Sequence, residues 1–408
     1  MMANSSNAPI YCDYNATSPL RPAARQAMVV AMEETGNPSS IHGFGRGARK
    51  RIEEARASIL KDIGLPDYRL VFTSGASEGL ATVLTPATQS QVTKRQATRL
   101  IIALTEHVTA LQGHGFGEAA TTVFSVDTHG RVDVQAFAAS LSSLPDDAQA
   151  LVCVHGANNE TGVLQPIEEI ATLCDVHRAL FVCDLVQWAG RLPLGDARPA
   201  ATVLSAHKLG GPAGVGAIMY DPMRLHIAKP LVRGGGQERG VRAGTENAIG
   251  IAGFAAAMHA AVKAMDDEQQ RLAELRDGFE SRLLEMRPDA VVFGKDVPRL
   301  SGTSCFALPG TQAALALMQF DLDGIALSSG SACSSGKVKA SHVLKAMNVA
   351  PDLADGALRL SLGFKSTSSD IDRVLASIER WSAPKSKPPD KISNKNANLV
   401  QSTIGESA

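Results

Sequence analysis

Two residues have the types and the placement to do chemistry together. Asp184 follows the apolar run Leu180–Cys183, and Lys208 follows Ala201–Leu204 in the segment Ser205-Ala-His-Lys-Leu-Gly-Gly-Pro212. Short Val/Leu-rich runs of this kind read as buried strands, and parallel sheets deliver ligand-binding residues at the carboxyl ends of their strands. A lysine and a carboxylate at neighbouring strand ends match what pyridoxal phosphate requires. The amine holds the aldehyde as a Schiff base, and the carboxylate keeps the pyridine nitrogen protonated so that the ring accepts electrons. Taken alone, the two residues also fit a buried salt bridge or a surface pair.

Other segments add to this pair. Thr73-Ser-Gly-Ala-Ser-Glu-Gly79 leaves one strand and opens a helix, and a helix N-terminus beside Ser77 can cradle a phosphate. Gly234–Asn247 is a second glycine-rich polar loop. His107 follows the run Leu100–Leu104, where a site role and a plain core histidine are both open. Cys333 lies in Ser328-Ser-Gly-Ser-Ala-Cys-Ser-Ser-Gly336, a small polar setting that suits a mobile nucleophile better than the apolar runs around Cys153, Cys183 and Cys305. Two nucleotide motifs fail. Gly43-Phe-Gly-Arg-Gly47 lacks the dinucleotide spacing, and Gly330 to Gly336-Lys337 has one residue too many for a P-loop and no Ser/Thr after the lysine.

These residues need a framework. Leu70–Phe72, Leu100–Leu104, Ala150–Val154, Leu180–Cys183, Ala201–Leu204 and Val215–Met219 predict strands, with helical patterns such as Pro166–Arg178 between them. That alternation predicts an α/β chain with a mostly parallel sheet flanked by helices. After residue 250 the texture shifts to long charged helices over Ile249–Arg287, short strands at Val291–Phe293, Thr303–Ala307 and Leu358–Leu362, and a helix Asp370–Trp381 with Asp370 as N-cap. The expected division is a large domain over 10–258, a smaller α+β domain over 259–382 carrying the Cys333 loop, and a disordered lysine-bearing tail over 383–408.

Composition narrows the function classes. The 408 residues are 44% hydrophobic and 20% charged, an ordinary globular balance. Forty Lys+Arg against 41 Asp+Glu give a net charge of −1, which argues against nucleic acid or an anionic membrane as the main partner. Aromatics at 4% give little base-stacking surface. The apolar stretch Ile249–Met265 carries His259 and Lys263 and reads as a packed helix, not a membrane span. The N-terminus has no signal-peptide pattern, and six scattered cysteines without a CxxC pair argue neither for a disulfide framework nor for zinc. A cytoplasmic location is the expectation. The sequons Asn15-Ala-Thr and Asn159-Glu-Thr then read as chance matches.

Taken together, the motifs resemble the cysteine desulfurases of the class V aminotransferase superfamily over roughly residues 10–380. The matching segments are Tyr11–Pro19, Gly36–His42, Thr73–Glu78, Thr105–His107, Asn158–Gly162, Asp184 to Gln187, Ser205–Lys208, Gly234–Asn247, Ser328–Ser335 and Leu358–Gly363. The loop around Cys333 is similar to that of the group with the long mobile cysteine loop. The resemblance implies a fold-type I enzyme that converts L-cysteine to L-alanine with pyridoxal 5′-phosphate as cofactor and passes the sulfur to Cys333 as a persulfide. It implies that Lys208 binds the cofactor and moves the Cα proton. Asp184 would pair with the ring nitrogen, Gln187 with the ring oxygen, and His107 would stack on the ring. Ala76, Ser77, Ser205 and His207 would hold the phosphate, with Thr245 reaching the neighbouring subunit's phosphate in a homodimer. Asn159 and Arg359 would bind the substrate carboxylate, Asn159 also lying at the cofactor. A sulfur acceptor such as an iron–sulfur scaffold is the implied partner. Tyr14, Gly79-Leu80, Leu185 and Trp188 depart from the pattern, and Leu185 and Trp188 are expected to reshape packing at the ring. The competing readings are selenocysteine lysis or another reaction on the same cofactor, a non-catalytic sulfur-relay partner, and nucleic-acid binding by the lysine tail.

Overall fold

The apolar runs fold as strands buried on both faces, and a computed structural model describes residues 8–329 and 341–382. In chain order β1 (Arg69–Thr73), β2 (Arg99–Ala103), β3 (Thr121–Phe124), β4 (Ala150–His155), β5 (Leu180–Asp184), β6 (Ala201–Ser205) and β7 (Gly216–Tyr220) make one seven-stranded sheet. Its spatial order is β1-β7-β6-β5-β4-β2-β3. Strand β7 runs antiparallel to both neighbours, β1 and β6, and the remaining pairs are parallel. Alternate residues of one strand enter different layers: Val152 and Val154 of β4 join one core, Leu151 and Cys153 the other. The edge strand β3 was not expected. Thr122 and Val123 are exposed, so no apolar run marks it.

A second, antiparallel sheet takes the strands Val291–Phe293, Thr303–Ala307, Ala357–Ser361 and Ser328–Ser329, in that spatial order. The helices Met265–Met286, Ala313–Leu322 and Ser368–Ser382 cover it and share its core. Asp370 is not the N-cap of the last helix: it lies inside the first turn and its Oδ2 accepts the Thr367 N–H (2.8 Å). Ile10 and Cys12, expected in the large unit, belong to this second core, because Ile10–Tyr11 pairs in parallel with Ile325–Ala326.

The long charged stretch is two helices, Ala248–Lys263 and Met265–Met286, bent by 69° at the break. The first packs Phe254, Ala257 and Met258 into the first core, and the second packs Leu272, Phe279 and Leu283 into the second. Among the described residues no single helix is long and apolar enough to cross a membrane. The expectations for Cys333 and for the tail 383–408 lie outside the described residues.

Candidate active site

The carboxyl ends of β2, β4, β5 and β6 open on one side of the sheet onto a cavity of about 530 Å³. Asp184 is the last residue of β5, Lys208 sits in the 3-10 turn Ala206–Lys208 after β6, and His107 caps the helix Val108–Gly113 after β2. Ala76 and Ser77 open the helix Ala76–Val83, Asn159 is in the loop after β4, and Arg359 comes from the second sheet. All of these line the cavity, as do Gln187, Ser205 and His207. Thr245 does not: it is exposed in the loop before Ala248–Lys263.

Lys208 Nζ donates to the carbonyls of Asn15 (2.7 Å) and Ala16 (2.9 Å). Burial, and then the positive charges of Arg359 and Arg191, lower its pKa to about 8. A neutral fraction is therefore present near neutral pH, as a base or imine-forming amine requires. Asp184 is buried, and its Oδ1 accepts the Val186 N–H (2.9 Å). Burial pushes its pKa up to about 6, against that hydrogen bond and the nearby His155 and Lys208. His107 Nδ1 accepts from the Thr109 backbone (3.2 Å) and its pKa falls to about 4, through desolvation and then the Lys208 charge. His207, 3.1 Å from Thr17 Oγ1, falls to about 4 for the same two reasons. Both imidazoles are therefore neutral at pH 7.

Carboxylates brace the turn that carries Ser77 and the glycine-rich loop. Glu78 accepts the Ser74 N–H (2.8 Å) and the Arg242 guanidinium (3.0 Å), so the glycine-rich loop is tied to the turn that carries Ser77. Glu238, buried in that same loop with φ of +47°, accepts from Arg56 (2.8 and 3.0 Å) and from the Phe72 N–H (3.1 Å). Arg359 donates to the Asn159 carbonyl (2.9 Å) and to Asp13 (2.6 Å), while its buried Nε has no partner among the described residues.

Sequence reasoning missed the residue at the centre. Asn15 is 1% exposed and joins five segments. Its carbonyl accepts from Lys208 and Gln187, its Oδ1 from Arg191 (2.7 Å), and its Nδ2 donates to Thr303 (3.0 Å) and the Asn159 carbonyl (3.2 Å). Its backbone N–H donates to Ser361 Oγ (3.0 Å). It stood inside the Tyr11–Pro19 segment, which was the available signal. Leu185 and Trp188, expected at the ring, do not line the cavity. Both pack in the core, and Trp188 fills the space left by Gly156, where an added Cβ would lie 2.8 Å from the indole.

The aminotransferase class-V family matches residues 10–374. A cysteine desulfurase of Cereibacter sphaeroides is 40% identical over 375 residues, covering 90% of this chain and 94% of that one. The chain belongs to the cysteine desulfurases of the class-V aminotransferase family. Cysteine desulfurase NifS of Azotobacter vinelandii is 38% identical over 378 residues, 91% of this chain and 92% of the relative. A solved structure of a NifS-like protein from Rickettsia africae superposes with a TM-score of 0.80 at 31% identity, covering 91% of this chain and 99% of that one. Cysteine desulfurases of this family are pyridoxal phosphate enzymes, and the cavity fits that group. It offers a buried carboxylate with one oxygen uncommitted among the described residues, and a lysine of lowered pKa. It also leaves the polar atoms Gln187 Oε1 and Arg359 Nε buried without partners among the described residues.

Proposed function

We propose that this chain converts L-cysteine to L-alanine and passes the sulfur to Cys333 as a persulfide, for delivery to an iron–sulfur scaffold or another sulfur acceptor. The observation that carries this reading is the convergence of Lys208, Asp184 and Arg359 on one cavity. When bound, pyridoxal 5′-phosphate supplies the electron sink that makes the substrate Cα proton removable.

The chain's own residues do the rest. Arg359 and Asn159 hold the substrate carboxylate, and the rigid fork of Arg359 is itself oriented by Asp13. Lys208 holds the cofactor and, deprotonated in useful proportion because of its lowered pKa, takes the Cα proton. Asp184 pairs with the ring nitrogen, Gln187 with the ring oxygen, and neutral His107 stacks on the ring and relays protons. The first turn of Ala76–Val83 with Ser77, Ser205 and His207 holds the phosphate, and Thr245 reaches the phosphate of a neighbouring copy in a homodimer. We read residues 10–258 as the large cofactor-binding unit, its first strand Ile10–Tyr11 pairing with Ile325–Ala326, and residues 259–382 as the smaller unit that carries the Cys333 loop. The cytoplasm is the compartment we infer, in keeping with the free thiols of Cys12, Cys153, Cys174, Cys183 and Cys305.

The test is turnover of cysteine with a thiol reductant, quantifying alanine and sulfide, with Cys333→Ala and Lys208→Ala in parallel. Equal yields of both products, lost in both variants, are expected. A Cys333→Ala protein that releases alanine and sulfide at the parent rate overturns the persulfide route.

A further inference from the structure

The pair Glu106–His155 lies against the cavity, and none of the roles above uses it. Glu106, in the turn after β2, is fully buried, and His155 ends β4 at 4% exposure. Glu106 Oε1 accepts both the His155 backbone N–H (2.9 Å) and ring Nδ1 (2.6 Å). Two bonds to one oxygen fix the ring, leaving Nε2 as its other polar atom. Nε2 is buried without a hydrogen-bond partner among the described residues, while His155 itself lines the cavity. His155 is also the one ion-pair partner of Glu106 among the described residues. A carboxylate that far from water is stable as an anion only beside a cation, so the pair favours the imidazolium. Burial alone would disfavour the charged ring, but the contact with Glu106 outweighs it and raises the His155 pKa.

Across the sheet, His155 stands in register with Asp184 on β5. The Val186 N–H is the one hydrogen bond that the Asp184 carboxylate receives among the described residues, and burial works against its charge. The other titratable groups around the pair are Cys153, whose thiol donates to Glu106 Oε2 (4.0 Å), Cys183 beside Asp184, His107 next to Glu106, Lys208 from the turn after β6, and His342, whose Nε2 lies 2.9 Å from the Glu106 carbonyl. None of these hydrogen-bonds Asp184. We propose that His155, held protonated by Glu106, is a positioning residue for Asp184: its charge keeps that carboxylate ionised at the place where the ring nitrogen binds. This rests on the reading of Asp184 as the partner of the ring nitrogen.

The experiment measures binding to the apoprotein of pyridoxal phosphate and of its 1-deaza analogue, in which C–H replaces the ring nitrogen. Both equilibria are read by dialysis and by the absorption band of the lysine adduct. The parent is compared with His155→Met, Glu106→Gln and the double variant H155M/E106Q. The double variant is needed because His155→Met alone strands a buried carboxylate and can fail to fold. The parent should prefer pyridoxal phosphate. In His155→Met and in the double variant the preference should shrink by about tenfold, the loss of one nearby positive charge, with affinity for the analogue unchanged. An unchanged preference overturns the proposal. So does an equal loss for both ligands in a folded double variant, which would mark His155 as packing only. A parent that binds both ligands alike, or neither, overturns instead the assignment of Asp184 on which the proposal stands.

Discussion

Lys208 donates to two backbone carbonyls and, among the described residues, to no carboxylate, so its charge is governed by burial and by two guanidiniums. Arg191 is one of them. It is half-buried and spends its donors on Asn15 Oδ1 and the Lys208 carbonyl. In the apoprotein the Lys208 amine should titrate near 8, and Arg191→Met should move that midpoint upward by several tenths to about one unit, since a nearby like charge disfavours the protonated amine. Competitive acylation of Lys208 across pH, read by mass spectrometry, reports the midpoint, and an unmoved value would remove Arg191 from the account. Asn15→Ala keeps the two carbonyls that Lys208 uses but removes three buried side-chain bonds. It should cost about 1–3 kcal/mol of stability, measurable as a lowered melting temperature. The sequence made Lys208, Asp184 and Arg359 legible because each sits in a short motif of its own. Asn15 was not legible, because its partners lie at 159, 191, 208, 303 and 361 and only the fold brings them together.

At the scale of elements, the interior strands were legible because burial on both faces demands unbroken apolar runs, as in Ala150–His155. The edge strand Thr121–Phe124 and the two-residue strands carry no such run, and the Ala264 bend has no proline or glycine to announce it. Gly156 and Trp188 form a fitted pair across the loops after β4 and β5. A methyl at Gly156 would come within 2.8 Å of the indole and 3.0 Å of Leu185, so Gly156→Ala should destabilise by about 1–3 kcal/mol through overpacking. Trp188→Leu in the same chain should return most of that loss. Thermal unfolding of the two variants decides it: if the single change is silent, the indole has room that the packing denies.

For the whole molecule, pH acts through groups whose protonation changes on folding. Glu160 is buried, accepts from the Ser341 hydroxyl, and is pushed by burial up to about 7. The folded state therefore holds a proton that the unfolded chain gives up near its ordinary value. The stability contributed by this protonation is complete below about 4.5 and is lost as pH rises through 7. Glu160→Gln should be near neutral at pH 4.5 and gain on the parent by up to about 3 kcal/mol at pH 8. Denaturant titrations of the two apoproteins at both pH values test the sign, and a difference that does not grow with pH would refute it. The Asn15 junction has a consequence for biosynthesis. The Asn15 carbonyl that accepts from Lys208 is synthesised 346 residues before Ser361, which fastens that junction. A nascent chain can therefore hold Lys208 and Asp184 in a nearly finished sheet while Asn15 waits for its landing site. The segment around Asn15 should therefore stay open to proteases and chaperones until Ser361 has been made.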